Sequence, residues 1–144
     1  MEVLSLLQSE NRCLEKLLSF SRQFLVCAQK REWSGLDDFD SKRQVFFKTL
    51  DLLDRKITEA AESLKNRSAI LPLDVSESLQ KELELRRDVI DRIIEVDAAL
   101  IAELEKESKA TSGDVASSRK NKDLVSKFKS SWLPQSGSEM DNQV

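Results

Sequence analysis

Asp97 stands in the segment "IIEVDAALIAEL", with Ile93, Ile94, Leu100 and Ile101 around it. A carboxylate held among isoleucines can have its pKa raised, and a raised carboxyl sometimes marks an acid or base catalyst. Such chemistry also needs companions. The chain contains no histidine, which removes the commonest proton-transfer group and argues against metal sites built from Cys and His. No glycine-rich loop, no nucleophile–base pair and no second acid expected in the core can be read beside Asp97. Cys13 and Cys27 lie on one expected helix, roughly 21 Å apart along its axis. That is too far for a disulfide within the helix, so both read as reduced thiols with a packing role. The residue types therefore point away from an enzyme and imply no cofactor.

A second anomaly explains the first. Arg43 stands where the apolar spacing of its own segment calls for a hydrophobe. In an antiparallel hairpin turning near residue 70, Arg43 and Asp97 are equidistant from the turn and lie at one height. An unpaired carboxylate in an apolar seam would cost several kcal/mol. A carboxylate paired with a guanidinium is tolerable and can fix register. Pairing of Arg43 with Asp97 is the structural expectation.

The elements that must position them are helices. Three segments carry apolar residues alternating by three and four: Leu4 to Ala28, Leu36 to Leu64, and Leu79 to Leu104. Strand alternation is absent, and three glycines and two prolines in 144 residues leave long stretches without a breaker. The expected fold is all-α: an antiparallel bundle of three long helices near 2–31, 33–66 and 75–108, plus a shorter C-terminal helix. Residues 1–110 would form the bundle, 111–133 a basic amphipathic helix and 134–144 a disordered tail. Pro72 marks the second break, and Asp74 with Glu77 would form a capping box. Trp33 sits at the first corner, where a large ring can cover the open end of the core.

No run of 18 apolar residues occurs, so no membrane insertion is expected. A formal charge of −3 gives no sign of direct nucleic-acid binding. With no basic start or small-residue cleavage site at "MEVLSLLQSE", the chain reads as cytoplasmic. Helix 1 carries more apolar surface than one seam needs. Val3, Leu17 and Phe24 flank the seam on one side, and Leu6, Cys13, Phe20 and Cys27 add another stripe. Two neighbouring helices can consume all of this, or a groove remains for a fourth helix. Phe20 and Phe24 are the expected contact residues, with Leu124, Phe128 and Trp132 as the apolar stripe of the basic segment.

"LLSFSRQFLVCAQKREWSGLDDFDSKRQVFF" resembles the first helical hairpin of the flagellar export chaperones of the FliT type. The matching features are Ser21-Arg22, Ala28, Trp33 and Leu36, and Arg43-Gln44. The segment with Asp97 resembles that family's third helix, and "RKNKDLVSKFKSSW" its basic last helix. Lys30-Arg31-Glu32 departs from the usual small and acidic pair before the tryptophan. The resemblance implies a nonenzymatic cytoplasmic chaperone of flagellar type III export. Its partner would be the C-terminal amphipathic segment of a late export substrate, the filament-cap protein for this type, with the export ATPase complex as a further partner. A structural coiled-coil or scaffold protein, or a related chaperone for hook–filament junction proteins, is the alternative.

Overall fold

A computed structural model describes residues 1–68 and 70–110. Among them the chain forms three α-helices and no strand: α1 (Glu2–Gln29), α2 (Leu36–Asn66) and α3 (Leu73–Ala110). The expected fourth helix and the tail lie outside the described residues. The helix lengths follow from the sequence, because between the two breaks nothing interrupts the intrahelical hydrogen bonds.

Both corners differ by a few residues from the sequence expectation. α1 stops at Gln29 because Arg31 turns into the left-handed region at φ 63°. The amide of Arg31 then donates to the Ala28 carbonyl (3.0 Å) and that of Glu32 to the Cys27 carbonyl (2.9 Å), satisfying carbonyls that the helix end would leave open. α2 begins at Leu36, not at residue 33, with Gly35 as its N-cap. Trp33 therefore belongs to the connection, and its carbonyl accepts the Leu36 amide at 3.1 Å. α3 begins at Leu73, two residues earlier than expected. Pro72 supplies the first helical acceptor, its carbonyl taking the Ser76 amide at 3.0 Å. A proline that cannot continue a helix can still lead into one, since its missing N–H would have no partner there. Asp74 consequently lies inside the first turn of α3, and the expected capping box with Glu77 does not form.

α1 is the spine. It runs parallel to α3 and antiparallel to α2, packing against both, and no Cα of α2 comes within 8 Å of one in α3. The parallel arrangement shows in pairs at two heights: Glu10 meets Arg86 and Arg31 meets Glu107, each across 76 residues of sequence. The main core holds Leu14, Leu17, Leu18 and Phe24 of α1, Phe39 and Leu50 of α2, and Val89, Ile93, Leu100 and Leu104 of α3. Val3, Leu7 and Ala60 form a smaller cluster near the N-terminal end of α1. Each large side chain buried in this way contributes about 1.5–3 kcal/mol.

Candidate binding groove

Because α2 and α3 stand apart, long polar side chains bridge them. Arg43 leaves α2, crosses over the Phe47 ring at 4.8 Å and reaches Asp97 of α3. Its two terminal nitrogens donate to the two carboxylate oxygens at 2.7 and 2.6 Å. Both side chains are essentially sealed from solvent, so the pair is a bidentate buried bridge that sets the height of α2 against α3. Nothing about it offers a reacting group to a ligand.

The structure corrects one sequence expectation here, because a second acid is buried. Glu10 of α1 is 1% exposed and is bonded by Arg86 of α3, whose other arm lies 3.6 Å from Asp54 of α2. Burial, with Asp54 adding and Arg86 opposing, pushes the Glu10 carboxyl up to about 8. One level along α1, the Asn11 amide donates to the Glu82 carboxylate at 2.7 Å and to its backbone carbonyl at 2.9 Å. This polar layer joins all three helices. The sequence signal was the row Val3, Leu7, Glu10, Leu14, Leu17, Ser21, Phe24, Ala28, all of it buried. A seam counted as Leu4, Leu7, Asn11, Leu14 and Leu18 leaves Glu10 outside it.

At the Trp33 corner the aromatic residues close the core. Phe24 stacks on Phe39 with centroids 4.2 Å apart, and Trp33 meets Phe24 edge-on at 6.2 Å. Phe24, expected alongside Phe20 as a contact residue, is thus a buried core residue, because its ring is covered from α2 and from the corner. Phe20 is only half-buried. It stacks on Phe39 at 5.1 Å and tilts against Phe46 at 5.7 Å, leaving part of its ring open.

That open part lies in a groove of about 740 Å³ between α1 and α2. α1 contributes Ser9, Arg12, Cys13, Lys16 and Phe20 to it. α2 contributes Lys42, Val45, Phe46, Thr49 and Leu53. Short side chains at Ser9, Cys13 and Thr49 leave the space, while Phe20, Phe46 and Leu53 make the floor apolar. Val45 is 62% exposed, an unusual position for a β-branched hydrophobe in the middle of a long helix. Burial pushes the Cys13 thiol above its ordinary value, which suits a packing cysteine and not a nucleophile. A second groove, about 500 Å³, runs between α1 and α3 past Leu18, Val26, Leu85 and Val89, with Glu15, Arg22 and Arg92 beside it. Leu124, Phe128 and Trp132 lie outside the described residues.

Among the described residues no cluster of His, Cys, Asp or Glu could hold a metal ion, and no helix is long and apolar enough to cross a membrane. The described residues thus form a three-helix bundle with a part-buried polar layer and an open apolar groove on its first hairpin. The family comparison sharpens this. The family model described as flagellar protein FliT matches residues 11–130, and the chain belongs to that family. It is a family of flagellar export chaperones, not of enzymes, whose members bind flagellar export substrates. No curated protein and no solved structure matches the chain.

Proposed function

We propose that the α1–α2 groove holds an amphipathic helical segment of a late flagellar export substrate, the C-terminal segment of the filament-cap protein being the foremost candidate. The observation that carries this is the apolar strip of exposed Val45 with half-buried Phe20, Phe46 and Leu53, which no helix among the described residues covers. A client helix that buries its apolar face there would be withheld from assembly, and the cap-protein assignment rests on the family resemblance. The floor is small, so the contact is modest, of the kind that can be undone at an export gate. Delivery to the export apparatus, with its ATPase complex as a second partner, belongs to the same reading. The basic segment 111–133, with Leu124, Phe128 and Trp132, enters as a weak competitor for the Phe20 side of the bundle. Its apolar stripe suits the groove, while its lysines and arginines would face the cations of the rim.

The test is calorimetric titration of the full chain with a purified C-terminal peptide of a filament-cap protein. Val45→Asp puts a charge on an exposed position and should leave the bundle folded. We expect this variant to bind at least tenfold more weakly than the natural chain. Equal affinities would place the client elsewhere.

A further inference from the structure

Three cations rim the groove: Arg12 and Lys16 on α1, and Lys42 on α2. Among the described residues no carboxylate lines it. The chain as a whole carries 26 acidic against 23 basic residues, so a cation-only strip runs against its composition. The α1–α3 groove, by contrast, mixes Glu15 with Arg22 and Arg92. Arg12 and Lys16 stand one helical turn apart on the same wall. Their existing contacts are weak. Among the described residues Arg12 bonds the neighbouring Ser9 hydroxyl at 3.1 Å, an exposed contact. Lys42 pairs with Asp38 at 3.1 Å in a bridge whose side chains are 60% and 70% exposed, and such exposed pairs exchange readily for an incoming carboxylate.

We infer that the groove selects an acidic amphipathic helix: an apolar face about three turns long, flanked by Asp or Glu at i and i+4 on the side that meets Arg12 and Lys16, with a further acid toward Lys42. The length follows from the α1 wall, which from Ser9 to Phe20 spans roughly 16 Å at 1.5 Å per residue. This inference rests on the groove reading above and adds the chemistry of the occupant. Charge complementarity would speed docking and reject basic helices more than it would raise affinity.

Two synthetic helical peptides with one apolar face, their flanks carrying either Glu or Gln, separate the two levels when titrated into the full chain. The expected result is that the Glu peptide binds about tenfold more tightly at low salt, roughly twofold from each cation. That advantage should shrink as salt screens exposed charges and should vanish in the Arg12→Gln, Lys16→Gln, Lys42→Gln triple variant. All three substitutions are at solvent-exposed positions, and circular dichroism would verify that the helices are intact. Equal binding of the two peptides, with both weakened by Val45→Asp, would overturn the acidic preference and leave the groove standing. A Glu preference that persists in the triple variant would overturn it too, locating the attraction elsewhere on the chain. Binding of neither peptide would overturn the groove reading itself.

Discussion

Arg43 is among the most completely enclosed large side chains of the described bundle, and the Asp97 carboxylate answers its charge with two hydrogen bonds. Removing the guanidinium would take both of these hydrogen bonds from a carboxylate buried in the core. Arg43→Ala should therefore destabilise by about 3–5 kcal/mol, while the Arg43→Ala, Asp97→Ala double variant should lose less than the two single losses together. Urea denaturation of the four proteins measures the coupling, and strict additivity would deny it. Glu10 makes a prediction of opposite character. Its carboxyl ionises near 8 in the folded chain but near its ordinary 4.5 when unfolded. Between those values the unfolded state binds fewer protons, so stability falls as pH rises across that window. Glu10→Gln, which keeps a hydrogen-bonding group toward Arg86 without the ionisation, should remove this decline. Denaturation midpoints at pH 5 and pH 8 should separate clearly for the natural chain and converge for the variant; an undiminished slope in Glu10→Gln would assign the decline to other groups. The two residues also differ in how openly the sequence shows them. Arg43 and Asp97 each break an apolar seam at matching distance from the turn, so each predicts the other. Arg86 also breaks the apolar row of its segment, but Glu10 stands outside the seam counted from Leu4, so nothing on α1 marks it as the partner.

The existence and direction of each helix follow from apolar spacing that continues over many turns. Their ends were harder to read, since a turn is decided by one or two backbone angles that composition does not reveal. Arg31 takes the left-handed angle that glycine more often supplies, while the nearby Gly35 does not use its freedom. Gly35 has φ −92°, which any residue adopts, and a Cβ placed there would stand 4.0 Å from the Phe24 ring, an ordinary contact. Gly35→Ala should therefore stabilise the protein by about 0.4–1 kcal/mol by restricting the unfolded chain. Thermal denaturation would register this as a rise in Tm, and a fall would mean the corner needs flexibility that its backbone angles do not display.

At the scale of the molecule, the sequence pattern predicts three helices around a shared core. It does not predict that only α1 would bring its backbone close to both neighbours while α2 and α3 meet through long side chains, because a seam read on each helix separately cannot say how far apart two of them stand. The spacing has a consequence for the groove. With α1 engaged by α2 on one side and α3 on the other, its Cys13–Phe20 face is left at the margin of the α1–α2 contact, where Val45 remains open. Among the described residues the buried apolar side chains of both clusters fall between Val3 and Leu104. Truncation after residue 110 should leave the three-helix bundle folded, with Tm nearly unchanged. If the basic segment 111–133 competes for the groove, the same truncation should tighten binding of a client peptide, modestly, since its cations would sit against Arg12, Lys16 and Lys42 and hold it only weakly. An effect of a few fold is expected, larger at high salt, where repulsion between the segment and the rim is screened and the natural chain's own competitor binds better. Titrations of the full-length and truncated chains at two salt concentrations read both quantities. Loss of client binding on truncation would instead make the segment, with Leu124, Phe128 and Trp132, the element that holds the client.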